Sequence, residues 1–108
     1  MQKDALRQLI FPVTTSGDNT VISGAKLGVG IGSIKVYKII LEAAGAVMIV
    51  PKSGTTIIPG SLVFLAAGNS YTLLCDGEPY WKTLPGQDLV LNMSTGALVT
   101  GALYYALA

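Results

Sequence analysis

Short apolar and β-branched runs, broken by turn residues, recur along most of the chain. They are Thr20–Leu27, Ser33–Ala43, Ala46–Val50, Thr55–Ile58, Ser61–Ala66, Ser70–Cys75, Asp88–Ser94 and Ala97–Leu107. The breaks carry Gly17-Asp18-Asn19, Gly45, Ser53-Gly54, Pro59-Gly60, Gly68-Asn69, Asp76-Gly77 and Pro85-Gly86. Gly and Asn supply the positive φ of tight turns, and Pro pre-sets the first turn position. About eight strands at this spacing predict an all-β sandwich or barrel. No helix-length amphipathic pattern follows residue 12, so the alternation needed for an α/β fold is missing.

Periodicity sharpens the picture. Leu89, Leu91 and Met93 share one face of their run while Asp88, Asn92 and Ser94 share the other, the alternation of a half-buried strand. Ala46–Val50 is apolar on both faces, and Ala97–Ala108 holds no charge. A small sandwich buries only the inward face of each strand. The outward apolar residues must therefore be hidden by strand order or covered by another subunit, and the second is expected. Residues 1–16 are expected to form an N-terminal arm, a short helical turn or an extended segment stopped at Pro12. Its apolar cluster Leu6, Leu9, Ile10 and Phe11 is expected to dock on a partner, ahead of the sandwich domain over 17–108.

Composition narrows the function. Of 108 residues, 51% are hydrophobic and 12% charged, against about 25% charged in a typical chain, which excludes a solvating or disordered tail. A net charge of +1 makes no field for nucleic acid or anionic lipid, and neither nucleic acid nor membrane is an expected partner. Lys3-Asp4 and the short run Leu9–Val13 make no signal peptide, and Ala43–Pro51 is too short to span a bilayer. The single cysteine, Cys75, forms no disulfide within the chain and reads as a small buried hydrophobe.

Candidate chemistry is sparse. Histidine is absent, removing the commonest general base and metal ligand. Gly28-Val29-Gly30-Ile31-Gly32 lacks the third glycine of a dinucleotide loop and is followed by a strand pattern. Asp76 and Glu78 sit in a turn; Asp88 could join them as the two carboxylates a glycosidase needs, but no second feature supports that reading. No catalytic residue, metal site or cofactor is expected. Tyr80-Trp81, between Pro79 and Lys82, is the conspicuous aromatic cluster. Its two readings are an end plug or subunit contact, and a platform stacking on sugar.

The order of pieces carries a resemblance. Gly17-Asp18-Asn19-Thr20-Val21, Ile34-Lys35-Val36, Ala43-Ala44-Gly45-Ala46-Val47 and Lys52-Ser53-Gly54-Thr55-Thr56 lead into Ile58-Pro59-Gly60 and Leu65-Ala66-Ala67-Gly68. Pro79-Tyr80-Trp81-Lys82-Thr83, Gly86-Gln87-Asp88-Leu89-Val90-Leu91-Asn92-Met93-Ser94 and Val99-Thr100-Gly101-Ala102-Leu103-Tyr104-Tyr105 close it. Over roughly residues 17 to 106 this resembles small β-sandwich virion proteins of tailed bacteriophages, including capsid cement or decoration proteins of jelly-roll type. The resemblance implies a single antiparallel, jelly-roll-like sandwich on the capsid surface, made in the host cytoplasm and binding the major capsid protein. The apolar surplus that must be covered predicts a homo-oligomer, a trimer ahead of a dimer, or one formed only on the shell. The rival expectation is a head-fibre or tail-appendage module binding a host-surface glycan through the Tyr80-Trp81 tip.

Overall fold

A computed structural model of the chain describes residues 7–24, 33–59, 62–75 and 77–107. Among them there are ten strands and no helix. The strands are β1 (Arg7–Val13), β2 (Gly17–Ile22), β3 (Ile34–Ala43), β4 (Val47–Ser53) and β5 (Thr56–Ile57). The second half holds β6 (Val63–Leu65), β7 (Ser70–Leu74), β8 (Trp81–Lys82), β9 (Leu89–Met93) and β10 (Val99–Leu107). Every expected run from residue 20 onward contains a strand.

Two antiparallel sheets result. The first has the order β1-β10-β3-β7 with β8 also on β3, and the second has β2-β9-β4-β5 with β6 also on β4. Both β5 and β6 pair with β4, and both β7 and β8 with β3, so each couple acts as one broken strand. The pairings are then nested: β1 with β10, β2 with β9, β3 with β7/β8, and β4 with β5/β6. That is one long hairpin turning at Ser53-Gly54, where Gly54 has φ +59°. It is rolled until β3 meets β10 and β4 meets β9. This is jelly-roll connectivity.

The core is the interleaved inner faces. Leu9, Leu103, Ile39 and Leu73 form one inward row across the first sheet. Phe11, Gly101, Leu41 and Tyr71 form the next. The second sheet answers with Ile49, Leu89, Leu91 and Met93, all buried. In β3 the inward residues run 34, 36, then 39, 41, 43, and the register with β10 shifts between Tyr104 and Tyr105, leaving Tyr37 as the extra residue. A one-residue slip would turn every later side chain outward. The bulge absorbs the odd spacing and keeps Val36 and Ile39 both in the core.

Gly101 shows how close the inner layer is. A Cβ there would lie 2.8 Å from the Ile40 carbonyl oxygen and 2.9 Å from Phe11 Cζ. The Phe11 ring occupies the space a side chain would need.

The expected N-terminal arm needs correction. From Arg7 onward it is neither helical turn nor free arm but edge strand β1, paired with β10 from Arg7↔Tyr105 to Val13↔Val99. The sandwich therefore begins before residue 17. Pro12, read as a helix stop, is accommodated because an edge strand can lack one N–H. Strand alternation splits the apolar cluster: Phe11 is 7% exposed and Ile10 is 73% exposed. Leu9 packs against the core, and Leu6 lies outside the described residues.

The two ends of the sandwich differ. At one end the connections 14–16, 44–46, 66–69 and 94–98 are short and uncharged. They are tied by Ala44 N–H to the Leu98 carbonyl (2.8 Å) and Gly68 N–H to the Ala43 carbonyl (2.8 Å). The long connection from β7 to β9 crosses the other end.

If β1 belongs to the core, Phe11→Ala should cost about 3–5 kcal/mol of unfolding free energy. Ile10→Ala, one residue away and outward, should stay within about 0.5 kcal/mol. Urea denaturation of the two variants checks this, and equal small effects would restore the arm reading.

Candidate interaction surface

The long connection is latched to the sandwich by side chains, which fixes where Tyr80 and Trp81 stand. Thr83 is buried; its Oγ1 accepts from Ile34 N–H (2.9 Å) while its N–H donates to the Ile34 carbonyl (3.0 Å). Ser53, also buried, donates from Oγ to Gln87 Oε1 (2.8 Å) and accepts from Leu84 N–H (2.9 Å). Asp88 Oδ1 accepts from Gly24 N–H (2.7 Å). Buried polar groups are tolerable only when paired, so these pairs hold the connection in one place.

β8 sits within that connection and pairs Trp81 with Val36. Trp81 is 0% exposed and belongs to the hydrophobic core. Its ring offers no free face for stacking on a ligand, and its indole N–H has no partner among the described residues. Tyr80 remains exposed, its ring centroid 6.5 Å from that of Trp81 at 38°. The tip is thus one exposed tyrosine over a buried tryptophan. Ile10 lies on edge strand β1 and Tyr80 beside β8 at the opposite edge, so the two predicted contact clusters do not form one site.

The titratable groups with shifted pKa fall in two places, Tyr71 and Cys75 beside Tyr80, and Asp18 beside Lys52. Among the described residues no three of His, Cys, Asp and Glu converge as a metal site would require. Burial pushes the Cys75 thiol up, partly opposed by a backbone hydrogen bond from Tyr80, so it is a protonated thiol at neutral pH. Tyr71 is also raised, first by burial and then by its hydrogen bond with Tyr80. Asp18 is held below the usual carboxylate range, chiefly by the Asn92 amide (2.7 Å) and then by Lys52 (3.1 Å). Because its folded value is depressed, that contribution is present at neutral pH and fades as pH falls through the lowered value. A shallow cleft of about 310 Å³ is lined by Glu42, Ala43, Ala44, Gly68, Leu98 and Thr100. Its polar side chains are the Glu42 carboxylate and the Thr100 hydroxyl.

What the structure does present is two open sheet faces. On the first sheet the outward rows are in register. Gln8, Tyr104, Lys38 and Leu74 form the first row. Ile10, Ala102, Ile40 and Thr72 form the second, and Pro12, Thr100, Glu42 and Ser70 the third. Ile10 and Leu74 are each 73% exposed. In the first row Gln8 Nε2 donates to the Tyr104 hydroxyl (2.8 Å), and Lys38 Nζ lies 5.1 Å from the Tyr104 ring centroid. On the second sheet, Met48 pairs with Phe64, which is 71% exposed. Strand order hides the outward residues of β4 only in part: Met48 and Val50 are half-buried.

Sequence reasoning missed Lys38, Ile40, Glu42, Leu74 and Phe64 as surface residues. The signal was present in β3, where Lys38, Ile40 and Glu42 alternate with Ile39 and Leu41, but the bulge at Tyr37 breaks the pattern upstream.

No protein-family model matches the chain, and no curated protein matches it significantly.

As a core residue, Trp81 cut to Ala should cost about 3–5 kcal/mol. Trp81→Phe should cost less, since it keeps much of the ring and removes the unpartnered N–H. Trp81 is also the only tryptophan, so its emission should be blue in the native state and shift red on denaturation. A Trp81→Ala variant that melts like the parent would contradict this placement.

Proposed function

We propose that this chain is a structural virion protein, a cement or decoration subunit that binds the major capsid protein and stabilises a phage head. The observation that carries the reading is that both outer faces of the sandwich hold large apolar side chains in the open, Ile10 and Leu74 on one and Phe64 on the other. Ile10 and Leu74 stand on the two edge strands of their face, with Ala102 and Ile40 in the row between, and exposed apolar surface of this kind favours protein contact. A chain with 12% charged residues has few other means of keeping such faces in water.

The physical mechanism is burial repeated over a lattice. Each copy removes apolar surface of its own and of neighbouring capsid subunits from water, worth about 25 cal/mol per Å² before association costs. Binding only the assembled shell stabilises that state by mass action, and many copies act together. Expansion or internal pressure must then break these contacts as well as those of the capsid. The jelly-roll connectivity is compatible with this role but does not select it, since the same architecture serves lectins and enzymes. The glycan-binding reading loses its main support with Trp81 inside the core, leaving Tyr80 as the single exposed aromatic of that tip.

Quantifying the chain in purified particles tests the proposal. A cement protein should be present in hundreds of copies, and particles stripped of it should release DNA at lower temperature until the protein is added back. A handful of copies located at the tail would replace this reading with the appendage.

A further inference from the structure

The three rows around Ile40 on the outward face of the first sheet are self-complementary. Lys38 stands in the first row and Glu42 in the third, with Ile40 between them on β3. Lys35 and Lys82 pair on the same face beyond the first row, and a two-fold along the middle row carries them past the partner's third row, towards the uncharged end of the sandwich. Four residues of antiparallel strand separate the two charges by about 14 Å. Consider a two-fold axis lying along the middle row, between two copies packed face to face. It exchanges the first and third rows and leaves the middle row facing itself. Lys38 then meets Glu42 of the partner subunit, Glu42 meets the partner's Lys38, and Ile10, Ala102 and Ile40 lie over their own counterparts.

We infer that this face is an isologous dimer interface between two copies of the chain, in that antiparallel arrangement. The other face-to-face axis, parallel to the strands, would lay β3 over β10. It would bring the two copies of Lys38 within about one strand spacing, and Glu42 likewise, placing like charges together. Aligned sheets pack at roughly 30°, which at β3, next to the sheet centre, displaces the outer rows by only about 3.5 Å, within the reach of a lysine. Lys38 is partly pre-ordered over the Tyr104 ring, which lowers the cost of fixing it in an interface. Among the described residues Glu42 has no ion-pair partner in its own chain. A two-fold interface of this kind uses one patch twice.

The face is small. Four strands about 4.8 Å apart and three rows about 7 Å apart cover roughly 400 Å² in plan, against about 800 Å² per partner in a standard interface. An interface this far below standard size is weak and reversible. The inference uses this face alone and does not depend on the virion reading.

Sedimentation equilibrium on the full chain tests it, with melting curves confirming that the variants fold. The parent should dimerise reversibly and Ile10→Asp should abolish association. Glu42→Lys and Lys38→Glu should each weaken it about tenfold, since each places two like-charge pairs across the interface. Mixed in equal amounts, these two variants should form a heterodimer of parental strength, and the double swap K38E/E42K should recover as well. Any of three results overturns the proposal: a parent that stays monomeric to about 1 mM, single charge reversals that associate like the parent, or a mixture no tighter than either variant alone. A monomeric parent that binds capsids through this face, and loses binding in Ile10→Asp, also overturns the dimer while leaving the virion proposal standing. Dimerisation without capsid binding has the opposite consequence.

Discussion

The pairing of β10 with β3 is the joint on which the rest of the molecule depends. It brings residues 99–107 beside residues 34–43, closing a hairpin that spans nearly the whole chain. Such a contact gives no return until a long loop has been closed, so it needs strong local reasons to form in one register. Three are visible. Gly101 allows close approach to the Ile40 carbonyl, the Phe11 ring fills the space left above it, and the bulge at Tyr37 corrects the phase of β3. β10 is also the strand on which β1 pairs. The third strand also receives β7 and β8, and with β8 comes Trp81.

The same constraint sets the surface. With β3 central and its inner residues committed to the core, Lys38, Ile40 and Glu42 have only the outer face available. Neighbouring strands add Ile10, Ala102 and Leu74, and no layer covers them among the described residues. The second sheet behaves alike around Met48 and Phe64, with Asp18, Lys52 and Asn92 forming its polar part. A jelly roll made with so little charge is left with two faces that favour contact, and contact with protein is the simplest use of them.

Turn chemistry and strand periodicity are legible in the amino-acid sequence. Gly54 and Gly68 occupy positive φ at turns where the sequence places Gly after or before a small polar residue. Leu89, Leu91 and Met93 are all buried, as alternation in that run requires. The apolar outward residues of Ala46–Val50 are also visible as a surplus that a two-sheet sandwich cannot absorb. Two elements are not legible. β1 looks like a terminal arm because it contains Pro12 and an irregular apolar cluster, and only its place on a sheet edge makes that proline tolerable. β8 is two residues long, too short for any period to register.

The sequence by itself determined the fold class, the turn positions and the absence of histidine chemistry, because those depend on residues acting within a few positions of one another. Tertiary structure decided the nesting of strands, the burial of Trp81 and the separation of Ile10 from Phe11 onto opposite faces. It also decided that Lys38 and Glu42 flank an apolar run, Ile10, Ala102 and Ile40, assembled from three strands. These are relations between residues far apart in the chain, such as Gln8 and Tyr104, 96 positions apart. Local propensity is blind to such distances, and packing of the two inner faces is what selects among the arrangements that the local pattern permits.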